Sequence, residues 1–390
     1  MSFFDTIIDR RKQGSCKWDH AAAAIGDKDG ILALSTADTD FPTAPPIKSA
    51  LIEAAENHVF GYTNPTGAFY DAVISWMHRR HHCDIQKEWI VCTPGIVSAM
   101  YYFLHAFTQK NDGVIIQPPV YAPFASSVRQ LGRQVIENPL LYNNGVYQMD
   151  FADLERKAAL PHAKMMFLCS PHNPAARCWT YEELERTADI CTKNHLLLVS
   201  DEIHFDFVFP PHHHTVFTAL PEKYTQNIAV CTSPSKSFNL AGLQLSNIII
   251  PNRNVRQQFI DGQHRCGSHL LNTFSYIACT AAYQHCGNWF DELRQYIYEN
   301  DVFVRKYIAE KKLPLSVCPL EATYLQWLDF SQSPYPSADE RKHALCRRQH
   351  ILFENGLVFG KEGEHFERFN IACPRSVVEE VLYRLAALLG

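Results

Sequence analysis

The sequence predicts an α/β protein. It has a large domain on a mostly parallel sheet covered by helices, plus a smaller α/β domain from the N- and C-terminal segments. Three observations lead there. Short, mostly apolar runs such as Lys164-Met-Met-Phe-Leu-Cys169, Leu196-Leu-Leu-Val199 and Ile228-Ala-Val-Cys-Thr232 read as strands buried on both faces. Helical stretches alternate with them, as in crossover units. The chain has 390 residues, 46% of them hydrophobic, which is long enough for two domains. The large domain is placed at 51–287 and the small one at 1–50 and 288–390.

In order along the chain, residues 1–50 are mixed and punctuated by Pro42, Pro45 and Pro46. Asp38-Thr-Asp-Phe-Pro42 forms a turn after the apolar run Ile31–Leu34. Helices are expected over 47–58 and 69–80 on apolar spacing, with a loop over 61–67. Strand 89–92 precedes helix 96–107, strand 114–117 precedes helix 125–131, and strand 164–169 precedes helix 181–194. Strands 196–199, 228–232 and 245–250 complete the large sheet. A long helix over 288–311 carries Trp289, Leu293, Ile297, Val304 and Ile308. Strand 323–328, helix 338–355, strand 366–372 and helix 377–389 build the smaller domain.

Composition excludes several classes. The net charge of -5 shows no basic excess of the kind that serves nucleic acid or an anionic membrane. No apolar run is long enough to span a bilayer, and Met1-Ser-Phe-Phe-Asp-Thr6 lacks the apolar core of a signal peptide. The thirteen cysteines are odd in number and lie largely in apolar runs, which fits reduced thiols in the cytoplasm. Neither Gly-x-Gly-x-x-Gly nor a Walker-type Gly-Lys-Ser/Thr occurs. No metal site is expected, since His212-His213-His214 on a Pro-rich loop and the Asp201/His204 pair lack a complete ligand set.

In an open parallel sheet, ligands bind beyond the carboxyl ends of the strands, so the residues that follow each strand matter most. After strand 228–232 comes Ser233-Pro-Ser-Lys236-Ser-Phe-Asn-Leu-Ala-Gly242. An amine between hydroxyls suits an aldehyde that carries a phosphate. Lys236 would form the imine, Ser233 and Ser235 would bond the phosphate, and pyridoxal 5′-phosphate (PLP) is such a ligand. A solvated loop lysine is the plainer alternative. After Cys92 comes Thr93-Pro-Gly-Ile-Val-Ser98, where free N–H groups opening a helix suit a phosphate or merely turn the chain. Tyr121 follows Pro118-Pro119 and could stack on a flat ring or simply pack. Asn173, in Ser170-Pro-His-Asn-Pro174, offers an amide donor to a phenolic oxygen, or marks an Asn-Pro turn. Asp201 ends an apolar strand and needs a partner, which a pyridine nitrogen would supply. His204 could orient Asp201 or pack near the ring. Arg368 and Asn370 alternate with Phe369 and Ile371, so the arginine leaves the apolar side of its strand.

These motifs resemble a family. Ser170–Pro174, Ser200-Asp-Glu-Ile-His204, Ser233–Gly242, Ala37–Pro42, Phe60-Gly-Tyr62 and Arg368–Pro374 resemble the class I/II aminotransferase superfamily, within it the cystathionine β-lyase (C–S lyase) subgroup. The resemblance spans nearly the whole chain and implies PLP fold type I. It implies that Lys236 carries the cofactor covalently and that Asp201 pairs with its ring nitrogen. Asn173 would bond the ring oxygen, Tyr121 would stack on the ring, and His204 would lie beside it. Gly95, Ile96, Val97, Ser233 and Ser235 would surround the phosphate. Tyr62 would serve the phosphate of a neighbouring subunit, so a homodimer with shared sites is implied. Arg368 would grip the α-carboxylate of an amino-acid substrate, with Asn173 and Asp38 beside it.

Two departures stand out. Leu34-Ser35-Thr36 replaces an aromatic found in many relatives, and Ala175-Ala176 stands where many carry a glycine. The expected reaction is β-elimination of cystathionine or related cysteine S-conjugates, with Lys236, Tyr121 and Asp201 as catalytic residues. The alternatives are an aminotransferase on the same scaffold and a PLP-binding regulator that acts through a protein partner.

Overall fold

The computed structural model describes residues 2–26, 29–268 and 270–390. In chain order its strands are β1 (Leu32–Ala33), β2 (Ile90–Thr93), β3 (Gly113–Ile116), β4 (Gln134–Glu137), β5 (Leu141–Asn143), β6 (Val146–Gln148), β7 (Ala163–Cys169) and β8 (Leu197–Asp201). They continue with β9 (Ile228–Thr232), β10 (Ser246–Ile249), β11 (Ser316–Val317), β12 (Leu325–Asp329), β13 (Ile351–Leu352), β14 (Glu354–Asn355) and β15 (Phe366–Asn370). Seven form the main sheet in the order β2-β10-β9-β8-β7-β3-β4.

The continuous apolar runs are explained by burial on both faces of that sheet. Val114, Ile116, Phe167, Val199, Cys231 and Ile248 enter one packed layer, with Phe103 and Phe259 from the helices Ile96–Phe107 and Arg253–Arg265. Their neighbours Ile115, Met166, Leu168, Leu198, Val230 and Ile249 enter the other, with Trp76, Leu184 and Tyr283. Those three come from the helices Gly67–His81, Tyr181–Lys193 and Thr273–His285. Capping chemistry sets the helix starts. Thr180 and Glu183 form a reciprocal capping box at the head of Tyr181–Lys193, and the Thr66 hydroxyl accepts from Phe69 N.

The 25-residue helix Gly287–Lys311 leads to a four-stranded antiparallel sheet, β11-β12-β15-β14. The N-terminal segment joins this part of the chain, because β1 pairs in parallel with β13.

Two sequence expectations need correction, and one strand of the mostly parallel sheet runs against the rest. Strand β10 runs antiparallel to both β2 and β9. Residues 233–245 contain only the short turns Pro234–Ser237 and Ala241–Leu243, so no crossover helix returns the chain for parallel pairing. The helix expected over 338–355 stops early. It spans Ala338–His343, widens into a π turn over Ala344–Arg348, and gives way to β13 and β14. His350 lies at φ +55° and ends the helical path, and its carbonyl accepts from Leu32 N. The strand expected from Thr323 begins at Leu325, since Thr323 has φ +70°. Helices Phe151–Ala158, Arg253–Arg265 and Thr273–His285, strand β4 and the β5–β6 hairpin were not expected from the sequence.

Among the described residues no helix is long and apolar enough to cross a membrane. All thirteen cysteines are free, and most are buried.

Candidate active site

Asp201 is the last residue of β8, flanked by Cys169 of β7 and Cys231 of β9. It is 5% exposed, and one carboxylate oxygen accepts from Ile203 N at 3.1 Å. Burial pushes its carboxyl up to about 7, against the opposing pull of the Ile203 N–H and the charge of Lys236. Lys236 sits in the Pro234–Ser237 turn beyond β9. Burial and then the charge of Arg368 bring its amine down to about 8, and Asp38 and Asp201 oppose that shift. Its Nζ donates to the Ala37 carbonyl at 2.6 Å.

Arg368 lies on β15, buried, in the interior of the small sheet rather than at its edge. It donates to Asn173 Oδ1 at 3.0 Å and to the Ser35 carbonyl at 2.6 Å, and packs over the Phe359 ring. Since Asn173 spends its oxygen on Arg368, its amide nitrogen is left as a donor. Tyr121 has its hydroxyl pushed up by burial and then by Asp201, with Arg368 opposing. His204 is buried edge-on against Tyr324, and burial, then the charges of Lys236 and Arg368, hold it well below the usual range. It therefore stays neutral.

Ser233 caps the lysine turn. Its Oγ accepts from Ser235 N at 3.0 Å, donates to the Leu245 carbonyl at 2.6 Å and lies 2.8 Å from Ser235 Oγ. The adjoining Ser246 pairs with Thr93 across β10 and β2, so this turn neighbours the start of helix Ile96–Phe107. Gly95 caps that helix at φ +107°, and the space a Cβ would enter there is open. Its first N–H groups, including those of Ile96 and Val97, have no partner within the helix.

Asp201, Lys236, Arg368, Asn173, Tyr121 and His204 thus form one cluster joined by hydrogen bonds and charge. Two stand differently. The carboxylate of Asp38 is taken up by Arg10 at 2.8 Å and Lys17 at 3.0 Å, so it supports the site from behind. Tyr62 is 99% exposed, in a loop with exposed Val59 and Phe60, and touches none of the others.

Sequence reasoning named Lys236 and Arg368 but missed the other groups that hold residues 35–39. Every carbonyl of this segment accepts a side-chain donor. Ser35 is held by Arg368, Thr36 by Asn370, and Ala37 by Lys236 and the Tyr324 hydroxyl. Asp38 is held by Asn370 and Lys17, and Thr39 by Arg10 and Asn239. Lys17 is fully buried between Asp38 and Asp40. Of the missed groups, Asn370 carried a sequence signal, through its alternation with Arg368. The departure at Ala176 also has a local meaning. This residue adopts φ +56°, a left-handed conformation in which glycine is unstrained.

These residues fit PLP. Asp201 is a buried carboxylate raised by burial, which a protonated ring nitrogen would relieve. The Nδ1 of His204, Nε of Arg368 and Oγ of Ser170 are buried without hydrogen-bond partners. An amine near neutrality and an open helix start supply the aldehyde and phosphate contacts.

The comparisons agree with this geometry. Residues 29–385 match the family model described as aminotransferase class I and II. The chain is 38% identical to cystathionine β-lyase PatB of Bacillus subtilis over 387 residues, covering 99% of this chain and 100% of that protein. It is 30% identical to protein MalY of Escherichia coli, covering 97% and 96% of the two. The crystal structure of cystalysin from Treponema denticola, which contains a pyridoxal 5′-phosphate cofactor, superimposes with a TM-score of 0.97. It is 37% identical and covers 100% of this chain and 99% of that one. The chain belongs to the class I and II aminotransferase family.

Proposed function

We propose that this chain is a PLP-dependent carbon–sulfur β-lyase, acting on cystathionine or related cysteine S-conjugates to give pyruvate, ammonia and a thiol. The observation that carries the reading is the convergence of Lys236, Asp201 and the Arg368–Asn173 pair in a chain similar over its full length to a cystathionine β-lyase. When bound, PLP supplies an electron sink for the substrate Cα. Asp201 would hold the ring nitrogen and Asn173 the ring oxygen. Tyr121 would pack on the ring with His204 nearby, and Gly95, Ile96, Val97, Ser233 and Ser235 would hold the phosphate. Arg368 holds the α-carboxylate and fixes which Cα bond faces Lys236. The Lys236 amine takes the Cα proton. The Cα electron pair forms the Cα–Cβ double bond as the C–S bond breaks, and the ammonium of Lys236 can return its proton to the departing sulfur. The remaining three-carbon unit is hydrolysed to pyruvate and ammonia.

Cystathionine supplied without any oxo-acid acceptor is expected to yield pyruvate, ammonia and homocysteine in equal amounts, measured by product analysis. Turnover that requires an acceptor and makes a new amino acid would transfer the case to an aminotransferase.

The proposal includes the assembly. The exposed Val59, Phe60 and Tyr62 form an apolar loop tip, which suits a second copy whose phosphate site Tyr62 completes. Mixing inactive Lys236→Ala with inactive Tyr62→Phe subunits is expected to restore part of the activity, because one hybrid site is intact. A fully active monomer in sedimentation would contradict it. We also place a cofactor-binding unit at 51–287 and a smaller unit at 1–50 and 288–390. The main sheet falls in the first range and the four-stranded sheet in the second, to which β1–β13 pairing ties the N-terminal segment. The free cysteines favour a reducing compartment, the cytoplasm.

A further inference from the structure

Asp206 is a buried carboxylate that the proposed chemistry does not use. Its side chain is 1% exposed. Three donors converge on it. Oδ1 accepts from Trp76 Nε1 at 3.0 Å and lies 2.8 Å from His81 Nε2, and Oδ2 accepts from the hydroxyl of Ser237. A carboxylate can only accept, so the His81 nitrogen that faces it carries the hydrogen. A carboxylate this deep needs such partners, and hydrogen bonds to it are among the stronger ones. Trp76 and His81 belong to the helix Gly67–His81, whereas Ser237 is the residue after Lys236 and closes the lysine turn. Asp206 thus fastens the lysine turn to a helix packed on the main sheet.

The turn is held on both sides of Ser237 as well. Ser233 caps its start. Beyond it, the Asn239 side chain donates to the Thr39 carbonyl at 2.9 Å and accepts from Thr39 N at 3.0 Å. Phe238 meets the Trp76 ring edge-on at 5.5 Å, so Asp206 holds Ser237 directly and Phe238 through Trp76. The same carboxylate belongs to the segment that carries Asp201. Turn hydrogen bonds from Phe205 N to the Glu202 carbonyl and from Phe207 N to the His204 carbonyl, each 2.9 Å, shape that segment. One short stretch therefore holds the carboxylate assigned to the ring nitrogen and, through Ser237, the turn that presents the amine. In PLP the aldehyde lies across the ring from the nitrogen, so the two placements must agree. The flexible four-carbon stem of a lysine fixes little by itself. A misplacement of about 1 Å can cost on the order of 100-fold in rate.

We propose that Asp206 is a positioning residue for Lys236. Acting through Ser237, it sets where the turn presents the amine relative to Asp201, and so how that amine meets the Cα proton. The charges that act most on the amine are those of Arg368, Asp38 and Asp201, so Asp206 works by placement. The inference rests on the reading of Lys236 as the group that moves the Cα proton, and holds for elimination and transamination alike.

The test reads that proton directly. L-Alanine has no leaving group on Cβ, and the loaded enzyme in heavy water should exchange its Cα hydrogen, followed by proton NMR. Ser237→Ala removes the link and leaves Asp206 its bonds to Trp76 and His81, so the fold is kept. It is expected to slow exchange at saturating alanine on the order of 10- to 100-fold. The half-saturating concentration should change little, because Arg368 is untouched. The circular dichroism of the bound cofactor's visible band, which reports its angle to the lysine, should change in the same variant. Asp206→Asn should keep most of the rate, since its amide can donate to the Ser237 oxygen while its own oxygen still accepts from the helix. Asp206→Ala breaks all three bonds and should lose at least as much as Ser237→Ala; if it does not fold, Ser237→Ala decides. Wild-type exchange or wild-type dichroism in Ser237→Ala overturns the proposal. So does a loss in Asp206→Asn as large as that in Ser237→Ala, which would make charge the active feature. If wild type itself exchanges nothing, the reading of Lys236 as proton carrier fails by itself. Ser237→Ala is then judged by dichroism alone, where a changed band supports the positioning and an unchanged one overturns it.

Discussion

Lys236→Ala is expected to fold normally and to lose turnover by about 10²- to 10⁴-fold, the usual worth of a positioned proton-transfer group. The amine makes one hydrogen bond, to the Ala37 carbonyl, and Tyr324 continues to hold that carbonyl. Thermal unfolding should therefore move little. Borohydride reduction of the loaded wild type, followed by peptide mapping, is expected to place the cofactor on Lys236. Label on another lysine would remove the basis of the proposed chemistry. The amine also predicts a pH dependence. Imine formation needs the neutral amine, and burial brings Lys236 down to about 8. Cofactor uptake by the empty chain, followed by absorbance, should accelerate as pH rises and level off above about 8. An exposed lysine would level off more than two units higher.

Asp201→Asn separates catalysis from stability. Turnover is expected to fall on the order of 10²-fold, because the carboxylate no longer supports positive charge on the ring nitrogen where electrons accumulate. The empty protein should behave in the opposite way. The folded-state value of Asp201 is about 7, above its ordinary 3.8. Between those values the folded state holds more protons than the unfolded chain, so stability falls as pH rises through that window. The full penalty is present at pH 8 and amounts to at most about 4 kcal/mol, at roughly 1.4 kcal/mol per unit. Asparagine removes it. Empty Asp201→Asn should melt above empty wild type at pH 8, and the gap should close toward pH 4. A variant that is loaded, stable and nearly as active as wild type would exclude the role.

The strand ends were legible because each chemical group follows a run that burial on both faces makes unmistakable. Val199 points to one apolar layer and Leu198 to the other, so the carboxylate of Asp201 just beyond them could be placed without coordinates. The supporting groups were not legible, because their partners are remote in sequence. Nothing near Lys17 indicates that its amine is buried between Asp38 and Asp40, and nothing near Tyr324 points to Ala37. Glu354 was hidden by an incorrect element. Residues 338–355 carry enough apolar spacing to read as one helix, which places Glu354 on a solvated last turn. The left-handed His350 redirects the chain into β14 and brings that carboxylate to Arg368.

The grip on residues 35–39 bears on when the protein becomes competent during synthesis. Ala37 waits for Lys236, 199 residues later, and Ser35 for Arg368, 333 residues later. Asn370, which fastens Thr36 and Asp38, emerges later still. The clasp therefore cannot close until Arg368 and Asn370 have been made. The main sheet can form from its own segments earlier, as domains generally do during synthesis. Such long loops are closed late because their entropy is spent before any contact returns it. A truncated translation product ending before Arg368 would carry the reactive lysine without the means to orient a substrate.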